Sequence, residues 1–380
     1  MKRLKKVLKF SGIALLSLVL VIVLGIFIFL YAVSPESTPE FKDKQGNIIE
    51  NSVAKMERVI IGGIEQFILI RGKNVNNPIL LMLHGGPGMS ELPMSRKYNS
   101  ELEESFTVVY WDQRGAGKSA DQAIPEDSFT LDQYIEDTHE LTTYLKKQFK
   151  KDKIFLLGHS WGSLLGVRTI YKYPNDYIAY VGTGQIGNQP KTDSIGYQFA
   201  LKKAKEINDT IALKDLNKIG EYSVENIKRT GYLNWLYMQR VYLSKFGGST
   251  ADPNAAVDIF LLPTLYCKEY TIGNKYNFLK SNSKSAFTNS PFRKMIPVVL
   301  STDLSEVSEL QIPIYFLQGE NDYLTNFSVA KEYFDLLKAP KKEFVSFDKS
   351  AHFVPFEEPE KFNAFMINRV LKESTESNIR

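Results

Sequence analysis

The chain has 380 residues, of which 43% are hydrophobic and 24% are charged, and this globular composition excludes a disordered, collagen-like or multi-span membrane protein. Cys267 is the single cysteine, so an internal disulfide and a cysteine-ligated zinc site are both excluded. The four histidines leave little else for binding a metal, and no metal site is predicted.

The formal net charge is +4, but the charge is unevenly distributed along the chain. Five of the 47 lysines and arginines lie within the first nine residues, which leaves 42 to face 43 aspartates and glutamates. Such a near-neutral body offers no basic face to a nucleic acid, so we predict no nucleic-acid partner.

The N-terminal segment is apolar and long. Residues 10–33 contain 24 residues without a charge, and a helix of this length extends roughly 36 Å, enough to cross a bilayer. The basic residues 1–9 predict a cytoplasmic N-terminus, so the chain should be a single-pass protein of the cell membrane with its body outside. A cleaved secretory signal, with a weak cleavage site near Ala32, and a buried core helix are the alternatives. Residues 34–46, rich in proline and charge, predict a stalk.

After the stalk, short apolar runs alternate with segments of helical period, which predicts a mostly parallel sheet flanked by helices. The candidate strands are 58–61, 64–70, 79–83, 106–111, 154–157, 178–181, 312–317 and 343–347, and the clearest helices are 131–149, 160–173, 328–337 and 359–371. The alternation fails between residues 185 and 308, where polar, Tyr- and Lys-rich helical segments take over. We therefore predict an α/β core made of 47–184 and 309–380, with a helical cap at 185–308.

A candidate nucleophile lies in Gly158-His159-Ser160-Trp161-Gly162, which follows a predicted strand and opens a predicted helix. A Gly-x-Ser-x-Gly sequence between a strand and a helix indicates a catalytic serine. The sharp turn exposes the serine hydroxyl, and the small glycines let the strand and the helix approach each other. Ser160 is therefore the predicted nucleophile.

A serine hydroxyl needs a histidine base oriented by a carboxylate, in the chain order Ser, acid, His for this kind of turn. His352 is the only histidine that follows Ser160. The acid should lie on a loop after the preceding strand, and Asp322 is the choice there, 30 residues before His352. Glu320 and the more distant Asp303 remain alternatives.

Backbone N–H groups must stabilise the oxyanion that forms during acyl transfer. The N–H of Trp161 stands at the start of the helix directly after the nucleophile. The second donor should come from the loop His84-Gly85-Gly86-Pro87-Gly88, with Gly86 the predicted donor and His84 more suited to a structural hydrogen bond.

Five segments together resemble the prolyl aminopeptidase-like family of α/β-hydrolases: HGGPG at 84–88, WDQRGAGKS at 111–119, GHSWG at 158–162, GENDY at 319–323 and SAHF at 350–353. The resemblance covers roughly residues 57–372. It implies a mostly parallel eight-stranded sheet with a helical cap inserted after the sixth strand, the same triad and oxyanion hole, no cofactor, and a structural role for Asp112 and Arg114.

The predicted cap departs from this family, whose members place acidic residues there to bind the free α-ammonium of the substrate. The aromatic stretch 232–246 carries the candidate substrate-binding residues Trp235, Tyr237 and Tyr242 but no aspartate or glutamate. Residues 186–305 hold 16 lysines and arginines against 10 aspartates and glutamates. The positive charge of a basic cap does not favour binding of a positively charged amine. The same lysines are equally well explained as residues on solvent-exposed helix faces.

The function expected from these features is a membrane-anchored serine hydrolase acting on a short peptide or another small molecule. An aminopeptidase of prolyl aminopeptidase type ranks first, and a carboxylesterase or lipase-like hydrolase second. A non-catalytic ligand-binding protein is the alternative from a different class, since function resides in the site and not in the fold.

Overall fold

The computed structural model describes residues 2–120, 122–281 and 291–373. Within these ranges eight strands form one sheet. The strands are β1 Val53–Ile61, β2 Ile64–Gly72, β3 Ile79–Leu83, β4 Thr107–Asp112, β5 Ile154–His159, β6 Tyr177–Thr183, β7 Ile314–Gly319 and β8 Lys342–Phe347. Each corresponds to a strand predicted from the sequence, with ends that differ by a few residues.

The strand order across the sheet is β1-β2-β4-β3-β5-β6-β7-β8. The pairs β1–β2 and β2–β4 are antiparallel, and every other neighbouring pair is parallel. Strands β3, β5 and β7 are buried along their whole length, which explains their continuous apolar runs. The predicted fold, a mostly parallel eight-stranded α/β sheet, is confirmed.

The helices of the described ranges are α1 Lys2–Ala32, α2 Leu92–Tyr98, α3 Leu131–Phe149, α4 Trp161–Lys172, α5 Gln189–Glu206, α6 Thr210–Ile219, α7 Val224–Thr230, α8 Tyr232–Lys245, α9 Leu262–Tyr266, α10 Ile272–Ser281, α11 Ile296–Leu300, α12 Phe327–Leu336, α13 Val354–Glu357 and α14 Pro359–Asn368. Helix α3 has its predicted bounds because the Thr130 side chain caps its first turn and Lys150 ends it in the left-handed conformation.

Helices cover both faces of the sheet. Leu141 of α3, Leu164 of α4 and Phe334 of α12 pack in the core on one face. The other face is covered by α2, α13 and α14, with Phe356 and Phe362 in its core. The carboxyl ends of the parallel strands are left for the loops that carry the predicted site.

The chain between β6 and β7 contains helices α5 to α11. Helices α5 to α8 and α11 form an apolar core of their own. In contrast, Ile259, Cys267, Tyr270 and Phe278 belong to the core on one face of the sheet. The predicted cap at 185–308 thus consists of two parts, a helical cap and a segment that packs directly on the body, because the apolar side chains of the second part point to the sheet.

Helix α1 contains the apolar segment Leu8–Ala32, which is long and apolar enough to cross a membrane and has none of its apolar window buried. This exposure does not fit a buried core helix, and it suits a membrane anchor or a signal sequence. Of residues 34–46, predicted as a stalk, the part 34–41 contacts the body, whereas residues 42–46 are exposed. The Arg71 guanidinium, for example, donates hydrogen bonds to Thr38 Oγ1 and to the carbonyl of Pro39.

Candidate active site

Ser160 lies at the turn between β5 and α4 with φ 55° and ψ −119°. A positive φ in a residue other than glycine is a strained conformation that is often found at active sites. The two flanking glycines are required by close approaches: a Cβ on Gly158 would lie 2.2 Å from the Gly162 carbonyl oxygen, and one on Gly162 would lie 2.1 Å from that of Leu83. This geometry is that of a nucleophile elbow.

His352 and Asp322 form a buried pair at the ends of β8 and β7. The distance from His352 Nδ1 to Asp322 Oδ2 is 2.9 Å. The second carboxylate oxygen, Oδ1, accepts hydrogen bonds from the backbone N–H groups of Leu324 and Thr325. The two loops touch because Gly319 has no side chain: a Cβ there would lie 2.0 Å from the Ala351 carbonyl oxygen.

The other two carboxylates considered from the sequence are placed elsewhere. Glu320 is exposed on the same loop. Asp303 accepts a hydrogen bond from Asn188 Nδ2 at 2.8 Å and caps the short turn that follows it. Of the three candidate acids, Asp322 is the one that the structure pairs with His352.

The protonation states of Asp322 and His352 are those that His352 needs to act as a general base. Burial opposes ionisation of Asp322, but the His352 ring and the hydrogen bonds outweigh it, and the pKa of Asp322 lies below its ordinary value. Burial also lowers the pKa of His352, and the nearby Asp322 charge offsets this only in part. The imidazole is therefore neutral at neutral pH and able to accept a proton.

We expect kcat/KM to be lost as the pH falls through a midpoint below 6.5, the ordinary value for histidine, because the reaction needs neutral His352. Activity should be fully present above this midpoint. The adjacent His159 serves as an internal control, since Glu91 outweighs burial and raises its pKa. A pH profile of kcat/KM whose acid limb falls above 6.5 would contradict titration of His352 and point to His159 or Glu357, whose pKa values are raised.

His159 connects the nucleophile turn to the histidine loop. Its Nε2 lies 2.9 Å from the His352 carbonyl oxygen, and the two rings have centroids 4.8 Å apart. The glycine loop closes the other side, since a Cβ on Gly85 would lie 3.2 Å from Ser160 Cβ. The structure thus brings Ser160, His352 and the loop at 84–88 together, although they are far apart in the sequence.

The predicted oxyanion donors lie at this junction. Trp161 is the first residue of α4, where backbone N–H groups have no partner within the helix. Gly86, next to Gly85, has φ +116°, and a Cβ there would lie 2.6 Å from the Gly88 nitrogen. His84 has a structural position, because its Nδ1 lies 2.8 Å from the Gly85 carbonyl oxygen and its Nε2 accepts the Gln113 N–H.

Sequence reasoning missed Glu91, which is buried beside the nucleophile turn. Its Oε1 lies 2.6 Å from His159 Nδ1 and accepts the backbone N–H of Gly85 at 3.0 Å. Glu91 therefore ties the glycine loop to the turn that carries Ser160. The residue lies outside every recognisable motif, so the sequence carried no signal for it.

Glu357 was also missed. Its Oε2 accepts the backbone N–H groups of Ala351 and Phe353, the residues on either side of His352. Its Oε1 accepts the N–H of Ala251 from the cap side at 2.6 Å. Burial raises the pKa of Glu357 to about 7. This carboxylate holds the histidine loop against the segment that follows α8.

Asp112 and Arg114 brace neighbouring loops, as the resemblance implied. Asp112 Oδ2 accepts the backbone N–H of Lys118 at 2.7 Å. The Arg114 guanidinium forms two hydrogen bonds of 2.9 Å to the buried Asp137 carboxylate. Within the described ranges, no group of three or more His, Cys, Asp and Glu side chains is arranged to hold a metal ion.

The three aromatic residues proposed for substrate binding occupy different environments. Trp235 is fully buried in the core of the cap and donates its indole N–H to the Gly220 carbonyl at 3.0 Å. Tyr242 is buried in the same core, and its hydroxyl donates to Asp215 Oδ2 at 2.6 Å. Tyr237 is partly exposed. For Trp235 and Tyr242 these contacts favour a packing role, and substrate binding by the three residues stays a prediction.

A carboxylate of α5, Asp193, lies beside the aromatic helix α8. Asp193 is buried, and its Oδ1 accepts hydrogen bonds from Gln189 Nε2 at 3.0 Å and Arg240 Nη2 at 3.3 Å. Asp193 Oδ2, Gln239 Oε1 and Arg240 Nη1 are buried and have no hydrogen-bond partner among the described residues. Burial outweighs the attraction of Arg240 and raises the pKa of Asp193 to about 6. This cluster lies close enough to the site for Arg240 to contribute to the lowered pKa of His352.

The sheet topology and the strand-to-helix serine turn define an α/β-hydrolase, and comparisons with known proteins agree. Residues 78–359 match the alpha/beta hydrolase fold family. The chain is 32% identical over 315 residues to a probable aminopeptidase, YbaC, from Bacillus subtilis, covering 82% of this chain and 95% of that protein. It is 27% identical to a proline iminopeptidase from Saccharolobus solfataricus, covering 77% and 84%.

Among solved structures, a proline iminopeptidase-related protein from Thermus thermophilus superimposes with a TM-score of 0.56 and 21% identity, covering 83% of this chain and 96% of that one. This likeness supports the fold. The chain belongs to the α/β-hydrolase family and, within it, to the prolyl aminopeptidase-like group. It is therefore an enzyme of the hydrolase class.

Proposed function

We propose that the protein is a serine hydrolase that acts through an acyl-enzyme on Ser160, with His352 as general base and Asp322 as the carboxylate that orients it. The observation that carries this proposal is the buried His352–Asp322 hydrogen bond of 2.9 Å, which lies beside the strained turn at Ser160.

In the first half of the reaction, Ser160 Oγ attacks the substrate carbonyl while neutral His352 takes the hydroxyl proton. The developing oxyanion accepts hydrogen bonds from the backbone N–H groups of Gly86 and Trp161. His352 then donates its proton to the leaving amine or alcohol, and the acyl group remains on Ser160. Asp322 stabilises the imidazolium formed between these steps.

In the second half, water replaces the leaving group. His352 takes a proton from the water, whose oxygen attacks the acyl carbonyl, and the proton then passes to Ser160 Oγ as the acid product leaves. Glu357 and Glu91 act as positioning residues, since each bonds the backbone next to a reacting group.

We propose an aminopeptidase that releases N-terminal residues from short peptides, in line with the names of the related proteins. A free α-ammonium needs a buried acceptor, because an unpaired buried charge costs several kcal/mol. Asp193 Oδ2 and Gln239 Oε1 are two such acceptors that have no partner in the part of the chain that the structure describes. With a pKa of about 6, Asp193 is mainly ionised at neutral pH and can bind the ammonium group.

The test compares kcat/KM for a prolyl arylamide, its N-acetylated form and a short-chain aryl ester. We expect N-acetylation to lower kcat/KM at least ~100-fold, about 2.7 kcal/mol of transition-state binding. Asp193→Asn should remove most of this discrimination while leaving hydrolysis of the ester nearly unchanged. Asp215→Asn is the matched control, since Asp215 is a cap carboxylate that bonds Tyr242.

A carboxylesterase is the second candidate, and Arg240 favours it. Its positive charge contributes to the lowered pKa of His352, and a cation in this position opposes binding of an ammonium group. If N-acetylation is harmless and the aryl ester is much the better substrate, the aminopeptidase proposal fails and the esterase takes its place. Equal effects of Asp193→Asn and Asp215→Asn would remove Asp193 from the recognition of the amine.

We also propose that α1 anchors the enzyme in the cell membrane, with the catalytic body on the outer side. The length and apolar character of Leu8–Ala32 and the cations that precede it support this orientation. Protease added to intact cells tests it, because an outward-facing body is digested and a cytoplasmic body is protected.

A further inference from the structure

The chain that leaves helix α1 is fixed to the body at once. The Lys275 ammonium donates hydrogen bonds to the Val33 carbonyl at 2.7 Å, to Ser34 Oγ at 2.8 Å and to the Leu265 carbonyl at 2.8 Å. One turn earlier, the ring of Phe29 meets Tyr266 edge-on with centroids 6.1 Å apart. Helix α10 and the end of α9 therefore lie beside the outer end of the apolar helix.

The residues that follow add further contacts. The backbone N–H of Ser37 donates to the Lys268 carbonyl at 3.1 Å, and Thr38 Oγ1 donates to Glu269 Oε1 at 3.0 Å. Buried Lys118 forms an ion pair with Glu36. With this many contacts in a short segment, the body cannot swing freely about the end of α1, so one face of the body stays next to the helix end.

That face carries exposed apolar side chains. Four of them, which we call the apolar patch, are Leu261, Tyr266, Tyr276 and Leu279, with 39%, 55%, 63% and 43% of their surface exposed. Tyr276 directly follows Lys275, and Leu279 lies one helical turn beyond it. The cations Lys268 and Lys280 are exposed beside the patch. Tyrosine, leucine and lysine together are typical of surfaces that lie at the boundary between lipid and water.

We propose that the apolar patch inserts into the outer lipid interface next to the anchor, so that the catalytic body lies on the membrane surface in one orientation. The inference rests on the proposed anchoring by α1. Its occupant is the bilayer, because Tyr266 touches Phe29 within the apolar helix and Lys275 binds Val33 at its end. If α1 crosses the bilayer, these contacts place the patch at the membrane boundary.

The patch is also close to the catalytic loop. Phe260, the residue before Leu261, packs edge-on against Phe353 with ring centroids 4.9 Å apart, and Phe353 follows His352. The Ser249 carbonyl accepts the backbone N–H of His352 at 3.0 Å. A body held by the patch would thus keep the segment that contacts the histidine loop at the lipid surface.

The experiment uses full-length protein in phosphatidylcholine vesicles with nitroxide-labelled lipids, and an environment-sensitive fluorophore on one introduced cysteine. Leu20→Cys reports the anchor and Leu279→Cys reports the patch. Leu336→Cys is the matched control, since Leu336 is 49% exposed on α12, whose residues pack on the opposite face of the sheet. The native Cys267 is buried and stays unlabelled under native conditions.

We expect nitroxide deep in the acyl chains to quench the label at 20 and shallow nitroxide to quench the label at 279. The second label should lose at least about half of its fluorescence, because interfacial segments lie within about 10 Å of the boundary between headgroups and acyl chains. The label at 336 should keep its fluorescence. Lys275→Met should reduce quenching at 279 but not at 20, since it removes the contact to Val33.

The possible outcomes separate the two proposals. Quenching at 20 with none at 279 overturns the patch and leaves the anchor intact. No quenching at either position overturns both, and quenching at 279 alone overturns the anchor and, with it, insertion of the patch next to the anchor. A shifted emission at 279 that does not respond to nitroxide shows burial against another protein copy, which also overturns the lipid interface.

Discussion

Replacing Ser160 with alanine should abolish hydrolysis of every substrate, with kcat lowered on the order of 10⁴-fold or more, because the acyl group then has no hydroxyl oxygen to bond to. A fluorophosphonate probe should label the wild-type enzyme at Ser160 and leave Ser160→Ala unlabelled. Mass spectrometry of the labelled peptide identifies the residue directly, independent of which substrate the enzyme prefers.

Ser305→Ala is the control for this experiment, since Ser305 is exposed on a turn outside the site and should change neither labelling nor turnover. An unchanged melting temperature for Ser160→Ala shows that the loss comes from chemistry and not from unfolding. Labelling that survives in Ser160→Ala would disprove the proposed nucleophile.

Replacing Asp322 with asparagine should lower kcat on the order of 10³- to 10⁴-fold with little change in KM, because the amide can hold the His352 ring but stabilises neither the required tautomer nor the imidazolium. The effect corresponds to about 4 to 5.5 kcal/mol of transition-state stabilisation. Steady-state kinetics of the purified variant measure it.

Glu320→Gln and Asp303→Asn are the matched controls, since these are the other carboxylates that the sequence allowed. Glu320 is exposed and Asp303 accepts a hydrogen bond from Asn188, so both variants should keep nearly full activity. The double variant Asp322→Asn with Ser160→Ala should be no slower than Ser160→Ala alone, because members of a triad act as one unit. A large loss in Glu320→Gln would reassign the acid.

Part of the candidate site could be predicted from local sequence. The turn at Ser160 was predictable because its requirements are local: a buried strand, two glycines at close approaches and the start of a helix all lie within a few residues. His352 was predicted as the base because it is the only histidine that follows Ser160 in the chain. The pairing with Asp322 was predictable to within a short loop, and the structure selected Asp322 over Glu320 by directing one side chain inward and leaving the other exposed.

Glu91, Glu357 and Asp193 were not predictable. Each is a buried or partly buried carboxylate with a partner far along the chain: Glu91 with His159, Glu357 with Ala251, and Asp193 with Arg240. A glutamate or aspartate in a sequence is more often an exposed charge, and nothing local distinguishes one that folding will bury. Conversely, the aromatic run around Trp235 suggested a binding surface, whereas packing among cap helices places the indole in the core.

The sequence by itself determined the α/β order of elements, the strand-to-helix serine turn and the apolar N-terminal helix, because periodicity, glycine spacing and hydropathy act over short stretches of chain. Only the tertiary structure decided which carboxylate meets His352, how the region between β6 and β7 divides between cap and body, and that residues 34–41 lie against the body instead of extending from it. Those outcomes depend on contacts between residues tens to hundreds of positions apart, such as Lys275 with Val33. Such contacts stabilise the protein only once the chain has folded.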